Sequence, residues 1–187
     1  MLNALESFIG GSLGAVKRIG WFGFAADPPT LAHRAVVDAV LGSGLVDKVI
    51  VFPAGKLPYK DFVASDLQRI EMTELWKSAG DFGPELLISR FDLLRPHAFL
   101  WYDLWKELNH RAPSTQHYIV VGSDQYLTIE TSWVKVRQLL EQASFMVVPR
   151  KGFPIESVSS SSHLLNIEPI PGSSTEIREG DLDHVDE

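Results

Sequence analysis

The stretch from Ile19 to His33, I-G-W-F-G-F-A-A-D-P-P-T-L-A-H, changes character halfway along. Ile19, Trp21, Phe22 and Phe24 make a short apolar run of strand character. After Asp27-Pro28-Pro29 a helical pattern begins at Thr30 or Leu31, its apolar positions supplied by Leu31, Ala32, Ala35, Val36, Val37, Ala39 and Val40. Proline suits such an entry because its ring fixes φ and the first N–H groups of a helix have no partner to lose. A strand feeding straight into a helix leaves backbone N–H groups and the positive end of the helix dipole facing outward, which favours phosphate. Thr30 and His33, three apart, share one side of the first turn, so a hydroxyl and a ring N–H can address one anion. Taken alone, the pair also fits a plain helix cap with a surface histidine, the commoner outcome for so short a pattern.

Outward from this unit the chain alternates. Gly42 and Gly44 close the first helix, and Val46 to Phe52, rich in β-branched residues, reads as a second strand. A polar loop from Pro53 to Val63 carries Pro58-Tyr59-Lys60. Ser65-Asp66-Leu67-Gln68 is a capping box that opens a helix through Ser78, ended by Gly80. Glu85 to Phe91 reads as a third strand, Phe99 to Leu108 as an aromatic-rich helix and His117 to Val121 as a fourth strand running into Gly122-Ser123-Asp124. Trp133 to Gln142 reads as helix, Ser144 to Val148 as a fifth strand, Ser157 to Ser162 as a serine-rich loop, flexible rather than functional, and Leu164 to Ile170 as a last short strand.

Alternation of this kind implies right-handed crossovers and an α/β fold, a Rossmann-like three-layer sandwich with a mostly parallel sheet of five or six strands. Ligands in such folds bind beyond the carboxyl ends of the strands. The loops expected there carry Asp27 to His33, Lys60, Asp124 and Arg150. Residues 1–17 read as an N-terminal extension and 18–187 as a single domain.

Charge and composition narrow the classes. With 17 basic against 24 acidic residues the net charge is −7, the opposite of a protein that tracks a nucleic-acid backbone. No apolar run reaches the ~18 residues of a membrane span, and the chain start, with Glu6 and no basic segment, is a poor secretory signal. The absence of cysteine leaves neither disulfides nor thiolate metal sites, so a cytoplasmic protein is expected. The six histidines show no metal-ligand spacing. Neither a P-loop, nor G-x-G-x-x-G, nor a G-x-S-x-G elbow occurs.

A second anion cradle stands near the other end, Gly172-Ser173-Ser174-Thr175-Glu176-Ile177-Arg178. Hydroxyl residues at a helix start and an arginine within one turn bring hydroxyls, backbone N–H groups and a guanidinium together. Alone it is as readily a capped helix with a surface arginine.

Together the two stretches resemble the nucleotidyltransferase signatures G-G-x-F-D-P-x-H/T-x-G-H and I-S-S-T-x-x-R. Gly23, Asp27, Pro28, Thr30 and His33 match the first, while Phe24, Ala26 and Ala32 stand where that family usually has Gly, Phe and Gly. Ser173, Ser174, Thr175 and Arg178 match the second in register. Over residues 18–180 the chain resembles bacterial nicotinate-nucleotide adenylyltransferases. Pro58-Tyr59-Lys60 is similar to their P-H-K loop, the helix with Arg69 to their D-x-x-R-x-x-M-L segment, Gly122-Ser123-Asp124 to their G-A-D turn and Pro149-Arg150-Lys151-Gly152 to their R-P-G turn. Trp133 falls near the tryptophan that stacks on the pyridine ring, with core packing as its other reading. Phe99-Leu100-Trp101 replaces the family's S-Y-T.

The resemblance implies adenylyl transfer from ATP, with Mg²⁺, to nicotinate mononucleotide, giving deamido-NAD and pyrophosphate. Alternatives are another acceptor, such as nicotinamide mononucleotide or phosphopantetheine, or a catalytically weak nucleotide-binding protein. It implies Thr30, His33 and Arg178 as catalytic residues. Gly23, Phe24, Ala25, Asp27, Lys60, Arg69, Gly122, Asp124, Trp133, Arg150, Ser173, Ser174 and Thr175 are implied as ATP- or substrate-binding. No protein-built metal site, nucleic acid or membrane partner is expected; self-association is left open.

Overall fold

A computed structural model describes residues 16–56, 61–95, 100–171, 174–178 and 180. The N-terminal extension up to residue 15, Pro58-Tyr59-Lys60, Phe99, Gly172-Ser173 and the acidic C-terminus beyond Gly180 lie outside the described residues, as do the side chains of Thr175 and Glu176.

Strands β1 (Arg18–Phe24), β2 (Lys48–Pro53), β3 (Leu86–Ile88), β4 (Gln116–Gly122), β5 (Ser144–Val148) and β6 (His163–Leu164) form one sheet in the order β3-β2-β1-β4-β5-β6. All its pairings are parallel. The helices are α1 (Leu31–Gly42), α2 (Asp66–Ala79), α3 (Trp101–Arg111), α4 (Ser123–Ser132), α5 (Val136–Gln142) and α6 (Ser174–Arg178). Because side chains alternate along a strand, the two faces of β1 feed different cores. Phe22 and Phe24 join Val36, Val37, Val40, Val51 and Trp76 on the side of α1 and α2. Ile19 and Trp21 join Ile50, Phe52, Leu104 and Leu108 on the side of α3. Strands buried on both faces explain why β2, β4 and β5 read as continuous apolar runs.

The strand order reverses between β1 and β4, the place where an open parallel sheet forms a crevice. The register makes that crevice visible. β1 pairs with β2 through to Phe24↔Pro53, but with β4 only from Arg18↔Gln116 to Trp21↔Ile119. Beyond that point the two strand ends separate.

The expected elements are found with four corrections. The third strand, expected over Glu85 to Phe91, stops at Ile88; Asp92 just beyond bonds the Gly55 N–H and pulls the chain into a turn. The helix expected from Trp133 begins only at Val136, because Lys135 takes the left-handed conformation at φ 58°. Trp133 instead closes α4, which Ser123 begins where a turn was expected. The last strand is His163–Leu164, with Ile170 bridging singly to Arg150. The serine-rich loop closes over β5: Ser162 Oγ accepts the Phe145 N–H at 3.1 Å, and Ser159 N–H donates to the Tyr126 hydroxyl at 3.2 Å. Among the described residues no helix is long and apolar enough to cross a membrane.

Candidate active site

The first turn of α1 is a reciprocal capping box. Thr30, extended at φ −136°, accepts the His33 N–H on its hydroxyl, and the Thr30 N–H donates to His33 Nδ1 at 3.1 Å. A backbone N–H can only donate, so Nδ1 accepts, and the neutral imidazole carries its own proton on Nε2. The ring lies 4.6 Å from the ring of Phe24 and stays half-buried at the crevice. Thr30 is 0% exposed, and its hydroxyl lies 2.8 Å from Nδ1. The cap therefore uses the Thr30 hydroxyl to hold His33. Trp76 Nε1 donates to the Thr30 carbonyl at 3.2 Å, anchoring the turn from α2.

Asp27 is 3% exposed, and its two carboxylate oxygens accept the N–H groups of Val63 and Ala64 at 2.9 and 3.0 Å. It secures the chain leading into α2. Arg69, 0% exposed, reaches from α2 to the carbonyls of Ala25 at 2.9 Å and Ala54 at 2.6 Å, and to Asp66 at 2.6 Å. Its guanidinium joins the ends of β1 and β2, with Phe62 stacked on it at 3.8 Å. Phe24 and Ala25 lie in the same passage out of β1, and Ala26 holds φ 55°.

The second cradle arrives at this same turn. Ser174, 8% exposed at the start of α6, donates through Oγ to the Pro28 carbonyl at 2.9 Å. Arg178, an exposed residue, donates through Nη1 to the Asp27 carbonyl.

Across the crevice, Gly122 and Asp124 stand at the start of α4. A Cβ on Gly122 would lie 2.2 Å from Asp124 Oδ1 and 3.0 Å from Arg150 Cγ, so only glycine lets these two side chains crowd the end of β4. Ser123, 0% exposed and not singled out in the sequence, clamps β4 to β5: its Oγ donates to the Phe153 carbonyl at 2.7 Å and accepts the Arg150 N–H at 2.9 Å. On the α3 side, a Cβ on Gly23 would lie 2.6 Å from the Phe52 ring. Trp133 is half-buried and stacks on Trp101 at 5.5 Å between centroids and 2° between planes.

Two further titratable groups lie buried. Burial pushes the Asp92 carboxyl above its ordinary range, opposed by the Gly55 N–H that donates to it at 2.6 Å. Burial holds His117 below its ordinary value, with Trp21 Nε1 donating to its Nδ1 at 3.1 Å.

These features define a doubly wound α/β protein whose polar side chains converge at the point where the strand order reverses. Residues 21–180 match the cytidylyltransferase-like family, and the chain belongs to it. It is similar to a probable nicotinate-nucleotide adenylyltransferase of Thermus thermophilus, 32% identical over 86% of this chain and 84% of the relative. It is also similar to the nicotinate-nucleotide adenylyltransferase of Bacillus subtilis, 30% identical over 76% of this chain and 74% of the relative. In fold it matches the Plasmodium falciparum nicotinic acid mononucleotide adenylyltransferase complexed with NaAD, with a TM-score of 0.75 at 22% identity, covering 87% of this chain and 83% of that one.

Proposed function

We propose that this chain is an adenylyltransferase that joins nicotinate mononucleotide to the AMP part of ATP, forming deamido-NAD and pyrophosphate in NAD biosynthesis. The relatives over most of the chain carry that name. The observation that carries the reading is the meeting of two anion cradles, Thr30–His33 and Ser174–Arg178, at one turn beside the crevice.

In this reaction a phosphate oxygen of the mononucleotide attacks the α-phosphorus of ATP in line. A P–O bond forms, the bond to the β-phosphate oxygen breaks, and pyrophosphate leaves with that electron pair. No protein nucleophile is needed, so the chain's contribution is positioning and charge stabilisation. His33 donates its Nε2–H to oxygens at the α-phosphate, where negative charge develops. Thr30 keeps that ring in its tautomer and orientation. Arg178, anchored on the Asp27 carbonyl, grips the departing phosphates with its planar fork. Ser173, Ser174 and Thr175 add hydroxyl or backbone donors there, and Lys60 adds a cation.

Asp124 accepts hydrogen bonds from ribose hydroxyls, Arg150, whose stem meets Asp124 over Gly122, adds a cation there, and Trp133 offers the acceptor ring a flat partner. Among the described residues no three His, Asp or Glu side chains gather as a metal-binding group. Mg²⁺ enters as part of the substrate Mg-ATP, held by phosphate oxygens and water. Residues 18–187 act as one cytoplasmic nucleotidyltransferase domain.

The test is pyrophosphate release with ATP and a panel of acceptors. Release with nicotinate mononucleotide, at a higher kcat/KM than with nicotinamide mononucleotide or phosphopantetheine, is expected. A preference for either of the others would overturn the acceptor and leave adenylyl transfer standing. No release with any of them, together with ATP binding, would make the protein a nucleotide binder.

A further inference from the structure

Trp133 packs at the edge of the cluster that holds Ile119, Val121 and Phe145, and it stacks on one described ring. It is the last cap of α4, with extended backbone at φ −105° and ψ 136°, and exposed Val134 and left-handed Lys135 follow it. A side chain on such a connection between two helices takes its direction from what it packs against, because the local backbone supplies no regular frame. Besides that cluster, the ring it stacks on is the indole of Trp101, parallel within 2° and offset at 5.5 Å, a favoured arrangement for two aromatic rings.

Trp101 is itself well placed to serve as a base. As the first residue of α3 it stands on regular structure. Its ring leans on Phe52 at the end of β2, 5.4 Å between centroids, and Phe52 leans on Phe91 at 4.8 Å. It also lies over Gly23, where an added Cβ would come within 3.2 Å of Cζ2. A row of rings thus runs from the β2 end, past the bare backbone of Gly23 in β1, to Trp133 at the end of α4.

We propose that Trp101 is a positioning residue for the acceptor: it fixes the plane of Trp133, and thereby the plane in which a mononucleotide's flat heterocycle stacks. This rests on the reading of Trp133 as the acceptor's partner. A preset plane spares the ligand the cost of ordering a mobile side chain, so it acts on acceptor affinity and leaves the ATP side untouched.

The full chain is assayed for pyrophosphate release with Trp101→Leu, Trp101→Phe, Trp133→Leu and the double variant Trp101→Leu/Trp133→Leu. Trp101→Leu raises the acceptor KM about tenfold, with the ATP KM and kcat within about twofold of the parent. Trp101→Phe, which keeps a flat ring and guards against a folding defect in the leucine variant, recovers most of that loss. The double variant is no worse than Trp133→Leu, because Trp101 acts only through Trp133. An unchanged or lowered acceptor KM in both Trp101 variants, or losses that add fully in the double variant, would overturn the proposal. If Trp133→Leu itself leaves the acceptor KM unchanged, the reading of Trp133 fails and the proposal falls with it.

Discussion

The Ser174 hydroxyl donates to the carbonyl of Pro28 at 2.9 Å, tying together residues 146 positions apart. The serine is nearly buried, so its loss leaves that carbonyl short of a partner. Ser174→Ala should cost about 1 kcal/mol of stability. It should also raise the ATP KM, because one of the two described hydrogen bonds between the cradles is then lost. Chemical denaturation and steady-state kinetics on one preparation check both. An unaltered ATP KM would separate this contact from nucleotide binding.

His33 has two tasks that a pair of substitutions can divide. His33→Ala removes the ring donor and half the capping box. His33→Gln removes the ring donor but keeps the acceptor that receives the Thr30 N–H. Both should lower kcat/KM by roughly 100-fold or more, the scale of losing one transition-state donor. Only the alanine variant should lose stability, by about 1 kcal/mol. Full activity in both variants would reduce His33 to a helix cap, since the glutamine amide alone could still donate an N–H.

Two glycines predict opposite outcomes. At Gly122 an added methyl meets Asp124 Oδ1 at 2.2 Å, so Gly122→Ala must displace the carboxylate assigned to the ribose. Binding of ATP, followed by calorimetry, should weaken. At Gly42, the last residue of α1, an added Cβ meets nothing within 4 Å. Gly42→Ala should raise the thermal midpoint, by about 0.5–1 kcal/mol in free energy, with activity unchanged.

Stability should vary with pH through two buried groups in opposite senses. His117 is held below its ordinary value of 6.5, so between the two values the unfolded chain binds more protons than the folded one. Stability is therefore lost as pH falls below about 6.5. His117→Gln, which keeps an acceptor for Trp21, should flatten that slope. Asp92 is raised above 3.8, so the folded chain keeps its proton longer and stability falls as pH rises from that value. Asp92→Asn, still able to accept the Gly55 N–H, should remove this second slope. Denaturant midpoints across pH 4 to 8 would show whether either slope survives its substitution.

The sequence by itself determined what depends on near neighbours. The period change after Phe24, the capping boxes at Thr30/His33 and Ser65/Gln68 and the alternation of strands and helices are all set within a few residues. Parallel strands buried on both faces follow from that alternation. Tertiary structure decided what the polar groups are spent on. Nothing local told that Asp27 would hold Val63 and Ala64, that Arg69 would be fully buried between two carbonyls, or that Trp133 would close one helix instead of opening the next. A buried polar group takes its partners from whichever backbone lies beside it, and that neighbour is fixed by the strand order. The order β3-β2-β1-β4-β5-β6 places the β1 turn beside α6, and alternation along a chain does not encode which strand lies next to which.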